Sequence, residues 1–297
     1  MTHTKQTAPS RREMLTTTAR LVAFGLPAIP AITAEDRKPR LNPLIAKLEQ
    51  GKAVLTPDDW MFIDMEHGPF SIDRLQETLN ELGKKRNPDG TLQTAPIVRI
   101  PQDGDEDSRW AVKQVMDMGA FGVVFPHVES KQEAINAIRA IRYPPQKGAK
   151  HPDPVGKRGW APGRAVRYWG ITQAEYLQRA DVWPLNPEGE VFAMIMIESV
   201  EGAKHINEIL EVPGIGAIFI GSSDLGVSLG VGPAAPLPPP EDEELIQTIL
   251  RACKAKNVYC AYPVLGGESE LKMRLAQGFK VILNAGGGAR PASTQRQ

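Results

Sequence analysis

From Leu41 onward, short apolar runs alternate with stretches in which apolar residues recur at helical spacing. The apolar runs predict eight strands, at Lys52–Leu55, Trp60–Glu66, Pro96–Ile100, Gly122–His127, Val191–Ser199, Ala217–Gly221, Tyr259–Val264 and Lys280–Asn284. The helical spacing predicts helices at Ser71–Lys85, Asp107–Met118, Ser130–Arg142, Val200–Leu210, Glu241–Lys256 and Glu268–Gln277. This alternation is typical of parallel strands joined by helical crossovers.

A further helix is predicted before the first strand. Asn42 is a good cap, Pro43 occupies the first helical position, and Gly51 follows the end at Glu49. Eight strands in roughly 250 residues favour an α/β TIM-type (β/α)8 barrel over an open doubly wound sheet. The sequence also lacks a G-x-G-x-x-G motif that opens a helix after an early strand, which argues against a dinucleotide fold.

Two features depart from a regular barrel. Only Thr56–Asp59 separates the first two predicted strands, so the first β/α unit is expected to be truncated, and no long final helix is predicted after the last strand. The stretch from Arg142 to Pro187 is rich in Pro, Arg, Gly and Trp and is expected to be a functional loop. The barrel domain is therefore assigned to residues 39–288, and residues 289–297 are expected to be a disordered tail.

The N-terminal residues 1–38 have the pattern of an export signal. Ser10–Leu15 contains paired arginines and resembles a twin-arginine signal, and Leu21–Ala34 is apolar but too short to span a bilayer. We therefore expect an exported, periplasmic protein. The alternative is a basic disordered tail on a cytoplasmic protein.

Charge and cysteine content narrow the class of partner. The chain has 35 basic and 35 acidic residues, so no net field draws it to nucleic acid or to an anionic membrane. We expect a small-molecule substrate and a homo-oligomer. Cys253 and Cys260 have neither disulfide nor zinc spacing and are interpreted as packing residues.

Polar residues stand at the ends of several predicted strands. They are Asp64, Glu66, His67, Arg99, Glu198 and Asp224. In a parallel barrel all carboxyl ends of the strands open onto one face, where the active sites of this fold lie. Residues that are distant in sequence would therefore meet there. His127 also ends a strand and is expected to be a structural histidine.

These side chains suit one chemistry. Glu198 and Asp224 offer hard oxygen ligands, which suit Mg²⁺ or Mn²⁺, with Co²⁺ as a further candidate. Arg99 could hold a carboxylate or a developing oxyanion. His67 is a natural general acid or base near neutral pH, with Asp64 or Glu66 to orient it.

Ordered motifs run along the chain, among them "DWMFIDMEHGPF", "PIVRIP", "MDMGAFGVVFPHVES" and "MIESVEGAKHINEILEVPGIGAIFIGSSDLGVSLG". Together they resemble the HpcH/HpaI aldolase and citrate lyase family, which includes 4-hydroxy-2-oxoheptanedioate aldolase and 2-dehydro-3-deoxyglucarate aldolase. The resemblance implies a metal-dependent carbon–carbon lyase that splits a 4-hydroxy-2-oxoacid into pyruvate and an aldehyde through an enolate.

The resemblance also assigns roles to individual residues. By position, Glu198 and Asp224 match the metal ligands, Arg99 the pyruvate-binding arginine, and His67, paired with Asp64, the acid/base histidine. Glu66 matches a residue near the waters of the metal. The amides of Gly221, Ser222 and Ser223 match the turn that receives the pyruvate carboxylate, although the family commonly has Pro at the position of Ser222.

Two other functions remain open from the sequence. One is a carbon–carbon lyase that acts on a CoA thioester, for which the basic aromatic loop around Arg158, Trp160, Arg164, Arg167 and Trp169 would contact a large anionic substrate. Core packing and subunit contact are the plainer explanation of that loop. The other is a periplasmic binding protein that keeps the fold without the chemistry.

Overall fold

The computed structural model describes residues 38–234 and 237–283. All the elements reported below belong to the unit from Arg40 to Gln297. The predicted export signal and the predicted C-terminal tail lie outside the described residues, as does Asn284 of the last predicted strand.

Within residues 38–234 and 237–283, nine strands form one sheet in which every pairing is parallel. They are β1 (Val54–Leu55), β2 (Trp60–Asp64), β3 (Ala95–Arg99), β4 (Gly122–Phe125), β5 (Val182–Trp183), β6 (Val191–Ile197), β7 (Ala217–Ile220), β8 (Tyr259–Pro263) and β9 (Val281–Leu283). Pairing follows the order β1-β9-β8-β7-β6-β4-β3-β2, with the short β5 beside β6. All eight predicted strands are confirmed, and β5 is the strand that the sequence did not predict.

The order of strands gives a nearly closed TIM-type barrel. Its two edge strands, β1 and β2, are joined by only Thr56–Asp59, so the edges must lie near each other. Asp59 ties this turn together, since its backbone amide donates to Leu55 and its backbone carbonyl accepts from Ala95 at the start of β3. The expected truncation of the first β/α unit is confirmed, because a turn replaces the helix.

Eleven helices are present in the described residues. They are α1 (Pro43–Glu49), α2 (Ile72–Gly83), α3 (Arg109–Met118), α4 (Lys131–Ile141), α5 (Gly163–Trp169), α6 (Gln173–Arg179), α7 (Val200–Lys204), α8 (Ile206–Ile209), α9 (Ser222–Leu229), α10 (Pro240–Ala255) and α11 (Gly267–Gln277). The Asn42 side chain caps α1 by accepting from two backbone amides, as predicted. Helix α10 is the longest of these at 16 residues. No helix within the described residues is both long enough and apolar enough to cross a membrane.

The helices differ from the prediction at three places. The stretch expected to be a loop contains α5 and α6, the predicted helix Val200–Leu210 is divided at His205, and α9 begins where only a turn was expected. In the supposed loop, Trp169 stacks on Phe121 with ring centroids 4.4 Å apart, and buried Arg158 donates to Asp117. Packing therefore explains Trp169 and Arg158, whereas Trp160, Arg164 and Arg167 of this stretch are exposed.

The core explains why the strands read as continuous apolar runs. All seven residues of β6 and all four of β7 are buried, because the sheet is covered on both faces. Cys253 and Cys260 are buried free thiols in this core, which confirms their interpretation as packing residues. The centre of the sheet is thus filled by apolar side chains, and the predicted site residues stand at the ends of the strands.

Candidate active site

Five neighbouring strands end at one edge of the sheet, and four of them deliver the predicted site residues while β4 delivers His127. These strands are β2, β3, β4, β6 and β7, and they lie side by side in that order. Asp64 and Arg99 are register partners at the ends of β2 and β3, while Glu198 directly follows β6. The parallel arrangement brings the carboxyl ends together, so residues more than 100 positions apart share one site.

Arg99 occupies the centre of the site. Its Nε and Nη2 donate to the two carboxylate oxygens of Asp64 at 3.0 and 2.6 Å, and its Nη1 lies 2.7 Å from Glu66 Oε2. The guanidinium also lies over the ring of Phe62, 5.3 Å from its centroid. Burial works against the charged form, but the carboxylates outweigh it and raise the pKa of Arg99. Nη1 also lies 3.9 Å from Met196 Sδ, so among the described residues one N–H, on Nη2, is left for a ligand.

His67 differs from the pairing that the resemblance implies. The Asp64 carboxylate accepts from Arg99 and from the backbone amides of Glu66 and His67, and it does not serve as the partner of the imidazole in this structure. The Nε2 of His67 lies 3.6 Å from Glu66 Oε2, and the side chain is 64% exposed. Glu66 is therefore the carboxylate beside the acid/base candidate, while Asp64 orients the arginine and the turn.

Glu66 lies between two histidines and the arginine. Burial is the largest influence on its carboxyl and raises its pKa, against the lowering effect of Arg99 and both histidines. The resemblance placed Glu66 near the waters of a metal. In the structure it is in direct contact with the Arg99 guanidinium, so it also fixes the geometry of that cation.

His127 lies at the mouth of the site, which differs from its interpretation as a structural histidine. Its Nδ1 is 3.5 Å from Glu198 Oε1, and its Nε2 is 3.8 Å from both Glu66 Oε1 and Asp103 Oδ1. Its backbone has a positive φ of 50°, and its amide donates to Glu198 Oε1 at 2.7 Å. Glu66, Asp103 and His127 place three ligand atoms within 4.8 Å of one another, a spacing that could hold a cation.

Glu198 is the buried carboxylate of the site. Its side chain is 1% exposed, and its Oε2 has no hydrogen-bond partner within the described part of the chain. Burial raises its pKa to about 7, with Glu66 and Asp224 adding to the rise and His127 opposing it. Gly221 packs against this carboxylate so closely that a Cβ there would lie 2.5 Å from Oε2. A buried, half-satisfied carboxylate fits a cation ligand.

The predicted carboxylate-binding turn is the start of a helix. Gly221 precedes α9, and Ser222, Ser223 and Asp224 form its first turn. The amides of a first turn have no acceptor within the helix, so they are available to an anion. Ser222 is buried and Asp224 is exposed, which places the second predicted metal ligand on the open side of the site.

Comparison with known proteins agrees with this geometry. The family model for HpcH/HpaI aldolase/citrate lyase matches residues 45–287. The chain belongs to the HpcH/HpaI aldolase/citrate lyase family. This membership confirms the resemblance noted in the sequence.

The relatives of this HpcH/HpaI protein are named as aldolases. A 2-keto-3-deoxy-L-rhamnonate aldolase of Klebsiella pneumoniae is 31% identical over 211 residues, which cover 70% of this chain and 68% of that protein. A hydroxypyruvate/pyruvate aldolase of Paraburkholderia phytofirmans is 32% identical over 172 residues, 58% of each chain. The chain thus spans under three fifths of the length of the hydroxypyruvate/pyruvate aldolases that it matches.

A solved structure supports the same membership. A HpcH/HpaI aldolase/citrate lyase family protein from Burkholderia cenocepacia is 27% identical, with a TM-score of 0.62 over 76% of this chain and 78% of that chain. The family and the barrel are thereby established together.

Asp103 and His127 lie at the site but were not predicted as site residues from the sequence. Helix α9 was not predicted either. Asp103 comes from the loop after β3, and nothing in its local sequence pointed inward. His127 carried a usable signal, because it stands two residues after β4 just as Glu66 stands two residues after β2.

The basic residues of the Arg142–Pro187 stretch do not join this site. Arg164 and Arg167 line a cleft with residues of α2, and Arg158 is packed in the core.

Proposed function

We propose that this family member is a divalent-metal-dependent aldolase that cleaves a 4-hydroxy-2-oxoacid to pyruvate and an aldehyde. The observation that carries the proposal is Glu198, a buried carboxylate with an unpartnered Oε2 in the described part of the chain and a pKa raised to about 7. Such a group is costly without a cation. The names of the relatives, a 2-keto-3-deoxy-L-rhamnonate aldolase and a hydroxypyruvate/pyruvate aldolase, support the same reaction class.

Glu198 and Asp224 would hold the metal. Two carboxylates that leave other coordination positions for substrate and water suit Mg²⁺ or Mn²⁺, and Co²⁺ as a third ion. When bound, the ion would supply Lewis-acid polarisation of the 2-oxo group of the substrate.

The residues of the chain have separate tasks around the substrate. The free amides at the start of α9 receive the substrate carboxylate. Arg99, held between Asp64 and Glu66, stabilises negative charge that develops on the 2-oxo oxygen. Because those carboxylates already fix the guanidinium, little reorganisation is needed as the charge forms.

His67 moves the proton in this proposal. It accepts the proton of the 4-hydroxyl as the C3–C4 bond breaks, and the bonding electron pair remains with C3 in the pyruvate enolate while the aldehyde departs. Return of that proton to C3 completes pyruvate, so atoms and charge balance. Glu66, 3.6 Å from Nε2, stabilises the imidazolium between the two steps.

The test is pyruvate release from a panel of 4-hydroxy-2-oxoacids that includes 2-keto-3-deoxy-L-rhamnonate and 4-hydroxy-2-oxoheptanedioate. Each is assayed with chelator and after Mg²⁺, Mn²⁺ or Co²⁺ is restored. Pyruvate that appears only with metal supports the proposal, and the preferred compound identifies the aldehyde half. A folded protein that binds the ion but releases no pyruvate from any compound would contradict it.

We also propose that the chain is exported. The support is the paired arginines in Ser10–Leu15 and the short apolar segment Leu21–Ala34. Fractionation of cells that make the full chain should find it in the periplasm, and replacement of both Arg11 and Arg12 by Lys should retain it in the cytoplasm. Equal distributions of the two forms would contradict export by this route.

A further inference from the structure

Three side chains, Glu66, Asp103 and His127, form a cluster at the mouth of the active site, here called the mouth cluster. The Nε2 of His127 lies 3.8 Å from Glu66 Oε1 and 3.8 Å from Asp103 Oδ1, too far for a hydrogen bond to either oxygen. One ligand atom from each residue lies within 4.8 Å of the other two. The three groups therefore converge on one point without bonding to one another.

The backbone fixes Asp103 beside His127. The amide of Gly104 donates to the carbonyl of His127 at 3.2 Å, and a Cβ on Gly104 would lie 2.5 Å from that oxygen. The amide of Asp103 donates to the Glu106 carboxylate at 3.0 Å. The loop after β3 thus lies directly on the segment after β4, so two members of the mouth cluster are held together by main-chain contacts.

The two oxygens of Glu66 have separate contacts. Its Oε2 lies 2.7 Å from Arg99 Nη1, whereas its Oε1 faces His127. Asp64 already meets the charge of Arg99 through two hydrogen bonds. The carboxylates of Glu66 and Asp103 therefore leave net negative charge around the Nε2 of His127, as a cation site requires.

A buried carboxylate supports His127 from its other side. The Nδ1 of His127 lies 3.5 Å from Glu198 Oε1, and the side chain of Glu198 is 1% exposed. The same oxygen accepts from the backbone amide of His127 at 2.7 Å. Histidines that bind metals usually turn one ring nitrogen to a carboxylate or carbonyl and the other to the ion. A proton on Nδ1 would leave the lone pair of Nε2 directed toward Glu66 and Asp103.

The donor set selects the class of ion. One imidazole and two carboxylates suit zinc, which binds three protein ligands and a water in open sites, whereas Mg²⁺ and Mn²⁺ favour oxygen ligands. Ligand atoms around a tetrahedral zinc lie roughly 3.4 Å apart. The two 3.8 Å distances must therefore close by a few tenths of an ångström, which the 62% exposed side chain of Asp103 can accommodate.

We propose that Glu66, Asp103 and His127 form a zinc site at the mouth of the active site. This site is distinct from the pair Glu198 and Asp224 that would hold the activating ion. The two sites differ in their ligands, since the mouth cluster contains a nitrogen donor and the pair contains oxygen alone.

Zinc in the mouth cluster should inhibit the enzyme through Glu66. With its Oε1 bound to zinc, this carboxylate would hold less negative charge for His67, whose Nε2 lies 3.6 Å from Oε2. His67 needs that charge to stabilise its imidazolium in the proposed reaction. The effect on turnover rests on the proposed function, whereas the binding of zinc does not.

The first experiment titrates Zn²⁺ into the full chain saturated with Mn²⁺. Calorimetry measures zinc binding, and electron paramagnetic resonance measures the Mn²⁺ released. The first equivalent of zinc should bind without releasing Mn²⁺. His127→Gln and Asp103→Asn should each weaken zinc about tenfold or more, at least the effect of losing a group that only orients a ligand. In these variants zinc should bind mainly by displacing Mn²⁺.

Asp105→Asn and His205→Gln are the matched controls. Asp105 is exposed on the same loop as Asp103, and the ring of His205 contacts the carbonyl of Glu129 outside the mouth cluster. Both variants should keep the zinc affinity of the wild type. Melting temperatures without metal show which variants are folded, and Asp103→Asn at an exposed position keeps the test decisive if His127→Gln is not.

The second experiment measures pyruvate release from the preferred 4-hydroxy-2-oxoacid with Mn²⁺ and increasing Zn²⁺. Each variant is compared with its own rate without zinc. Zinc should inhibit the wild type, and Asp103→Asn should need about tenfold more zinc for the same inhibition, in proportion to its weaker binding.

Three results would overturn the zinc site. They are release of Mn²⁺ by the first equivalent of zinc in the wild type, wild-type zinc affinity in both Asp103→Asn and His127→Gln, and equal losses of affinity in the controls. Zinc that binds as proposed without inhibiting would overturn its effect on turnover. A protein that binds zinc in this way but releases no pyruvate with any metal would contradict the proposed function and leave the zinc site standing.

Discussion

Arg99 and Asp64 form a two-point ion pair across the ends of β3 and β2, with N–O distances of 3.0 and 2.6 Å. The pair is buried on the arginine side, and Asp64 also accepts from the amides of Glu66 and His67. Both carboxylate oxygens of Asp64 therefore accept hydrogen bonds that fix the end of β2 and the Arg99 guanidinium relative to each other. The first consequence is that an arginine here cannot be exchanged for another cation.

Arg99→Lys should lower kcat/KM by about 10²- to 10³-fold while leaving metal binding intact, because lysine has no planar fork to meet Asp64 and Glu66 together. Steady-state kinetics on the preferred substrate measure this. Arg142→Lys is a matched control, since Arg142 makes the same two-point pair with Asp181 in a different part of the barrel. A similar loss of activity in both variants would show that Arg99 acts through stability alone.

Glu198→Gln should remove the rise in melting temperature that Mn²⁺ gives to the wild-type protein. Asp242→Asn is the matched control, because Asp242 is also a fully buried carboxylate without a partner among described residues, with a pKa raised to about 6, but it lies at the start of α10. It should retain the full metal effect. Thermal unfolding with and without Mn²⁺ decides the matter, and a retained metal effect in Glu198→Gln would exclude Glu198 as a ligand.

The same two carboxyls predict how the stability of the metal-free protein depends on pH. Their folded-state pKa values are raised, to about 7 for Glu198 from 4.5 and to about 6 for Asp242 from 3.8. The stability they contribute is therefore complete below the unfolded values and is lost as pH rises through 6 to 7. The melting temperature without metal should therefore fall as pH rises from about 4 to about 7 and level off above that, since the two pKa values rise from 4.5 to about 7 and from 3.8 to about 6.

Bound Mn²⁺ should offset the fall in melting temperature at the upper end of this pH range, since the ion binds the ionised carboxylate of Glu198. The Glu198→Gln, Asp242→Asn double variant should show a flatter profile across the same range. A metal-free wild type that becomes more stable as pH rises would contradict the assignment of these shifts to burial.

His67→Ala should lower kcat by about 10²- to 10⁴-fold with a smaller change in KM, as expected for loss of a general acid and base. His127→Ala should lower kcat less, because the proposed proton transfer assigns no step to its ring, which faces Glu66, Asp103 and Glu198 at the mouth of the site. His205→Ala, whose ring contacts the carbonyl of Glu129, controls for loss of an imidazole elsewhere. A greater loss in His127→Ala than in His67→Ala would transfer the acid/base role to His127.

The strands were predictable because burial on both faces leaves an unbroken apolar run. β6 and β7 show this most clearly, with every residue buried. The helices within the supposed loop were harder to see, since Pro162, Gly163 and Gly170 surround α5 with residues typical of turns. Thr172 and Glu175 did form a capping box, and that pattern could have predicted α6 from the sequence.

The members of the site were predictable from strand ends, but their pairings were not. A strand end places a side chain on the correct face, which was enough for Arg99 and Glu198. Which carboxylate meets which cation depends on the path of the chain after the strand, where Asp64 pairs with Arg99 and Glu66 lies beside His67. Asp103 depends entirely on the path of a loop, so sequence pattern contained no signal for it.

Gly221 gives the sharpest test of how tightly the site is built. A Cβ at this position would lie 2.5 Å from Glu198 Oε2, 2.6 Å from Glu198 Cβ and 2.8 Å from Met196 Cε, distances at which the carboxylate must move. Gly221→Ala should therefore weaken Mn²⁺ binding by about tenfold or more, as the loss of one ligand position implies. Calorimetric titration of Mn²⁺ measures this. Gly163→Ala in α5 is the control, because a Cβ there meets nothing within 4 Å and should leave Mn²⁺ affinity unchanged. Unchanged metal affinity in Gly221→Ala would show that the ion is held away from Glu198, at the cluster of Glu66, Asp103 and His127.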